Sequence, residues 1–275
     1  MPELPEVETV KEALKLRLLG IKIKDVIIRY EGIIKNLTPE QFKQKIIGQT
    51  FREIKRYGKY LIFVFDNVSM VSHLRMEGKY FVKPLDAEVT KHEHIIFILD
   101  NNQKLSYQDV RKFGTMEIVP IGEEFDLDSI GKLGKEANDD ALNVEYLYPL
   151  IHKSSRAIKS LLLDQTILSG LGNIYVDETL FLARLHPETQ GLKITKKETA
   201  KIIESAKKVL DKAIELGGTT IRTYQSSFGI DGRFQNELNV HTRVGEKCYN
   251  CDTVIEKIKV GGRGTYFCPT CQKRK

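Results

Sequence analysis

From Pro5 onward the apolar residues Val7, Val10, Leu14 and Leu18 recur at helical spacing, and Gly20 stops the run. This predicts an N-terminal helix with one buried stripe. The period then shortens. Residues 21–30, 48–57, 60–65, 69–74, 79–83, 94–99, 104–109 and 115–119 are short β-branched or aromatic runs, separated by turn residues such as Asp66-Asn67 and Asp100-Asn101-Asn102. Eight such runs predict a two-sheet sandwich with the helix lying at its edge.

Past Pro120 the texture changes. Residues 121–142 are rich in Gly, Asp and Glu and read as a linker region. Helical patterns follow at 143–152 and 155–164, and Ser169-Gly170-Leu171-Gly172 breaks the chain before a helix at 173–183. A longer helix is expected over 196–216, opened by the capping pair Thr195 and Glu198 and ended by Gly217-Gly218. Its buried stripe is Ile202, Ala206, Val209, Ala213 and Leu216. Residues 219–239 are polar, carry glycine and show no period, as a mobile loop would. The fold class expected is α+β, in four parts. They are a β-sandwich domain at 1–130, a linker at 131–142, a helical domain at 143–239 and a small C-terminal module at 240–275.

The 275 residues allow a sizeable core in about two domains. With 41% hydrophobic and 29% charged residues the balance is that of a soluble globular chain. No run of about 18 apolar residues is present, and no basic-then-apolar leader, so neither a membrane span nor secretion is expected and the cytoplasm is the expected compartment. The net charge of +6 is modest, but 247–275 carries seven Lys and Arg against Asp252 and Glu256. That tail fits a polyanion partner or a solvated charged end equally.

All four cysteines fall in the last 28 residues, as Cys248-x-x-Cys251 and Cys268-x-x-Cys271 with sixteen residues between the pairs. In a cytosolic chain this spacing predicts a four-cysteine zinc site rather than disulfides. With no His or carboxylate to leave an open position, the one ion is read as structural. Between the pairs, Lys257–Val260 alternates as a strand, Gly261-Gly262-Arg263-Gly264 makes the turn, and residues 265–267 return. Three glycines around Arg263 let the backbone approach a ligand and leave the guanidinium for a phosphate; an exposed hairpin tip explains them equally well.

The first residues, Met1-Pro2-Glu3-Leu4-Pro5-Glu6, offer different chemistry. Removal of Met1 would leave Pro2 as a secondary amine with a pKa near about 8, nucleophilic at neutral pH. Attack on an aldehyde-like carbon gives a permanently cationic iminium, and Glu3 beside it is a natural proton shuttle. With Met1 attached, the same nitrogen is an unreactive tertiary amide. Taken alone, the stretch reads more simply as a lead into a helix with carboxylates in its first turn.

The blocks "MPELPEVETV", "GKYLIF", "SHLRMEGKY", "DVRKFGT", "LLDQTILSGLGNIYVDE", "GGTTIRTY", "FQNEL" and "KVGGRGTYFCPTCQ" span nearly the whole chain, and together they closely resemble the formamidopyrimidine-DNA glycosylases of bacteria. The resemblance implies a monomeric base-excision-repair enzyme, both glycosylase and β,δ-lyase, that removes 8-oxoguanine and ring-opened purines from duplex DNA. It implies a helix–two-turns–helix element around Asn173 and a zinc hairpin. Pro2 then looks like the nucleophile and Glu3 like its acid/base, while Glu6 is either a participant or a helix-start carboxylate. Lys59 and His73 match phosphate contacts near the lesion, and Met76, Arg111 and Phe113 match the wedge that fills the hole left by the extruded base. Without the resemblance, Met76 and Phe113 read as core. Lys159 matches a lysine near the lesion; Asn173 and Arg263 match phosphate-binding groups. His241 departs from the tyrosine usual at its position. Two other readings stand beside this one. An endonuclease VIII-type glycosylase for oxidised pyrimidines shares Pro-Glu and the hairpin but typically has glycine where Leu4 stands. A non-catalytic zinc DNA-binding protein would have no use for Pro2-Glu3.

Overall fold

The structure, a computed structural model, describes residues 2–219 and 232–275. The chain forms two compact units. Among the described residues the first takes Pro2, Glu6–Gly131 and Gly232, and the second takes Glu3–Pro5, Lys132–Thr219 and Arg233–Lys275.

Helix α1 (Leu4–Leu18) buries the predicted stripe of Val7, Val10, Leu14 and Leu18, and Gly20 in the left-handed region turns the chain out of it. Each such side chain removed from water is worth about 1.5–3 kcal/mol. The eight expected strands are present as β1 (Ile23–Ile28), β2 (Glu53–Tyr57), β3 (Tyr60–Val64), β4 (Val68–His73), β5 (Lys79–Pro84), β6 (Glu93–Leu99), β7 (Gln103–Gln108) and β8 (Thr115–Pro120). They make two antiparallel four-stranded sheets, ordered β1-β6-β7-β5 and β2-β3-β4-β8. Every residue of β3 and β4 is buried, and Phe51, Phe63, Tyr80 and Tyr107 form a chain of edge-to-face rings in this core.

Two stretches differ from expectation. Helix α2 (Pro39–Ile46) was not legible as a period because only Phe42 and Ile46 of its eight residues are buried. Its start was written in the sequence, since Thr38 and Gln41 form a reciprocal capping box with Pro39 at the first helical position. The supposed linker region contains a short helix, α3 (Asp128–Gly131), and the two units divide at its end.

One buried group in this unit makes stability depend on pH. The Glu93 carboxylate would be raised by burial. The Lys83 ammonium at 2.8 Å and the Thr90 amide at 3.1 Å outweigh this and hold it down at about 2. Because the folded value lies below the ordinary 4.5, the contribution is full above pH about 5 and is lost as pH falls toward 2. It amounts to roughly 3 kcal/mol. Glu93→Gln should therefore lower the urea midpoint at pH 7, and the gap to the parent should close between pH 5 and 2. A gap that stays constant with pH would show the carboxylate charge to be irrelevant.

The second unit is helical, with α4 (Val144–His152), α5 (Ile158–Leu162), α6 (Asn173–Leu182) and α7 (Lys196–Glu215). Asn143 caps α4, and Thr195 with Glu198 forms the expected capping box on α7. Ile202, Ala206, Val209 and Ala213 are buried as the pattern requires, with Leu216 packed partly against them. Helix α5 is shorter than the 155–164 expected; its residues before Ile158 make an extended bridge from Ala157 to Gln190 instead. The C-terminal hairpin pairs β9 (Glu256–Val260) with β10 (Arg263–Phe267). Its turn is only Gly261-Gly262, both at positive φ, the two-residue type that suits strand twist. Arg263 thus lies in the strand, not in the turn. Much of the expected loop at 219–239 lies outside the described residues; within the remainder Phe234–Glu237 forms a single 3₁₀ turn.

Candidate active site and nucleic-acid interface

In the first unit, Pro2 is buried just ahead of α1. Lys59 follows Gly58, at φ +56°, in the two-residue turn between β2 and β3, and it is largely buried. His73 ends β4 opposite Tyr60, with the two rings edge to face at 4.4 Å. Burial, and then the charges of Arg75 and Lys59, depress His73 to about 3, so it is neutral at physiological pH. Its Nδ1 accepts the Arg75 amide at 2.8 Å, which places the ring proton on Nε2. The result is a neutral donor with a fixed tautomer.

Met76 and Phe113 are 39% and 51% exposed, so they are not the core residues that patterning alone suggests. With Lys35, Arg75, Lys112 and Thr115 they line an open hollow of about 510 Å³. The Arg111 guanidinium stacks on the Phe113 ring at 4.7 Å. Asp109, a residue that sequence reasoning passed over, builds this loop. Its buried carboxylate accepts the amides of Arg111, Phe113 and Gly114 at 3.0, 2.9 and 2.9 Å. An aspartate whose side chain gathers the next amides is a recognisable turn signal, and that signal was available in "DVRKFG".

In the second unit the sequence-predicted residues converge on the start of α6. Glu3 is buried there, and its Oε1 accepts the Ile174 amide at 3.3 Å. Gly172, the residue before the helix, leaves room for this carboxylate. A Cβ on it would fall on the Glu3 carboxylate. Asn173 is the first helical residue rather than the cap, and its amide donates to the Gly264 carbonyl of the hairpin at 3.0 Å. Arg263, next to that glycine, is exposed.

Lys159, expected near the lesion, is placed inside the second unit. It is fully buried, and its Nζ donates to Asp177 at 2.7 Å, Thr265 Oγ1 at 2.8 Å and the Gly264 carbonyl at 3.1 Å. Burial lowers it from the usual lysine range, while Asp177 works in the opposite direction. A lysine so committed holds the hairpin.

The four cysteine sulfurs lie within 4.8 Å of one another, with Cys248–Cys271 at 3.9 Å and Cys251–Cys268 and Cys251–Cys271 at 3.5 Å. Tetrahedral zinc with Zn–S bonds of about 2.3 Å requires sulfurs about 3.8 Å apart, so the donor set fits the ion. Amides of Asn250 and Cys271 point at Cys248 and Cys268 sulfurs at 3.4 Å, as thiolate ligands need. Hydrogen bonds from Thr253 draw Cys251 down to about 6.

A sandwich, a glycine-led helix start and a four-cysteine hairpin, each carrying groups suited to DNA, define a zinc-finger DNA glycosylase. Residues 1–116 match the formamidopyrimidine-DNA glycosylase N-terminal domain, 133–225 its H2TH domain, and 245–274 the zinc finger found in FPG and IleRS. The formamidopyrimidine-DNA glycosylase of Oceanobacillus iheyensis is 49% identical over 100% of this chain and 99% of that protein; that of Ligilactobacillus salivarius is 46% identical over 99% of each. Among solved structures, Lactococcus lactis Fpg in complex with DNA containing an abasic site superimposes with a TM-score of 0.93 at 43% identity, covering 99% of this chain and 100% of that one. The chain belongs to the formamidopyrimidine-DNA glycosylase family.

Proposed function

We propose that this protein is a monomeric, bifunctional glycosylase and AP lyase that excises 8-oxoguanine and formamidopyrimidines from duplex DNA, working in base excision repair in the bacterial cytoplasm. The observation that carries this reading is the Pro2-Glu3 pair, with the Glu3 carboxylate held at the start of α6 by the Ile174 amide. In this reaction the Pro2 nitrogen bonds to C1′ as the glycosidic bond breaks and the damaged base leaves with a proton. Glu3 delivers a proton to the ring oxygen as the C1′–O4′ bond opens, leaving an iminium. The iminium acidifies the C2′ hydrogens. Loss of one proton expels the 3′-phosphate, a second elimination expels the 5′-phosphate, and water releases the sugar fragment from Pro2.

Lys59, neutral His73, Asn173 and Arg263 serve this chemistry by holding phosphates. Met76, Arg111 and Phe113 fill the hole left by the extruded base, offsetting part of the few kcal/mol that unstacking costs. Lactococcus lactis Fpg has been captured on abasic-site DNA and, as a mutant, on Fapy-dG DNA, which supports a purine lesion in duplex DNA as the substrate. Leu4 supports the purine enzyme over the pyrimidine-directed sister. It packs in the core of the second unit, where a Cβ on Gly170 would meet it. No helix among the described residues is long and apolar enough to cross a membrane.

The test is reduction by borohydride during reaction with an 8-oxoguanine·cytosine duplex, followed by mass spectrometry of the adduct. A cross-link at Pro2 is the expected result. No adduct on 8-oxoguanine, oxidised pyrimidine or abasic-site duplexes, from protein verified to lack Met1, would leave a DNA-binding relic as the better reading.

A further inference from the structure

Asp177 sits in the middle of α6 with a side chain fully closed to solvent, a costly place for a carboxylate unless every lone pair is used. It is used on both sides. Oδ1 takes the Lys159 ammonium at 2.7 Å; Oδ2 takes His241 Nδ1 at 2.8 Å and the Tyr266 amide at 3.3 Å. His241 also lies edge-on to the Tyr266 ring at 4.8 Å. Its backbone is held from the same helix, because neighbouring Glu178 accepts the amides of Asn239, Val240 and His241 at 2.8, 2.9 and 2.9 Å. Lys159 passes the connection on to Gly264 and Thr265, the two residues that follow Arg263.

We propose that Asp177 and His241 are positioning residues, forming with Lys159 a buried ionic strut that ties α6 to β10 and sets the direction in which Arg263 leaves the hairpin. The proposal rests on the reading of Arg263 as a phosphate ligand. The strut is buried, whereas Arg263 itself is exposed. Lys159 and Asn173 both grip the Gly264 carbonyl, so the backbone at the base of the arginine is fixed from two directions. A guanidinium fork gains from being pre-aimed, since less freedom is lost on meeting a phosphate. Neither Asp177 nor His241 needs to touch DNA for this.

A double-mutant cycle with D177N and R263A, read as lesion-duplex affinity and as single-turnover rate at saturating DNA, tests the strut. D177N keeps the shape of the side chain but removes its charge, and it should weaken binding about tenfold, the weight of one charge-assisted contact. The saturated single-turnover rate should change less than about threefold. In the R263A background, D177N should cost less than about twofold more, because its target is already gone. Full additivity, or parental affinity in D177N, overturns the proposal. Parental affinity in R263A overturns the phosphate reading beneath it, and the strut with it. Zinc content and melting temperature accompany each variant. If D177N does not retain zinc, H241Q, which alters one of three donors to the carboxylate, takes its place in the cycle with the same expected coupling and the same overturning result.

Discussion

Protein that retains Met1, or carries any residue fused ahead of Pro2, will bind lesion-containing duplex but release base on the order of 10³-fold or more slowly than the processed chain. The effect is this large because it removes the nucleophile outright. An amide nitrogen has lost its lone pair to resonance and cannot form the iminium on which the later steps depend. Lys59, His73, Asn173 and Arg263 are unaltered by the extension, so affinity should stay within a few-fold. The comparison is made with matched preparations whose N-termini are verified by mass spectrometry, using single-turnover cleavage and titration binding on the same duplex. Equal rates would remove Pro2 from the chemistry.

Chelation of zinc should have the second large effect. The module at 240–275 is small. Its buried apolar cluster consists of Phe181, Val240, Ile255 and two of the cysteines themselves, Cys248 and Cys268. So little area cannot offset the entropy of ordering the hairpin. The ion is expected to supply on the order of 10 kcal/mol of its folding free energy. Without it, the hairpin should unfold and DNA binding should fall by at least about 10²-fold as Arg263 is lost. The first unit draws on its own core of Val7, Phe63, Tyr80, Phe97 and their neighbours, and should keep its sheet signature. Circular dichroism and binding, measured before and after chelation and again after zinc is restored, check this. Full-strength binding by stripped protein would refute the role given to Arg263.

The parts of the fold that could be read from sequence share a physical reason. The strands are short β-branched or aromatic runs, and turn residues separate them; α1 and α7 carry long apolar stripes. Helix α2 lacked the length for a period and announced itself only through Thr38 and Gln41. The cysteines were legible because their ligand spacing is local. The network around α6 was not, because Asp177 and Glu178 have partners such as His241 and Tyr266 more than 60 positions away. Acids in the middle of a helix read as solvent-facing until the hairpin covers them. Lys59 and His73 became candidates only through the surrounding blocks. The partners of Lys159, Asp177 and Thr265, are likewise remote in the chain and were not legible.

The neutral state of His73 has a further consequence for how DNA is gripped. A lysine or arginine that meets a phosphate displaces a condensed cation from the duplex, and its contribution shrinks as salt rises. His73, with its proton fixed on Nε2 and no net charge, displaces none. In the proposed complex it is a dipole contact among ionic ones. It adds affinity without adding to the number of released cations, and its share of the grip grows as ionic strength increases.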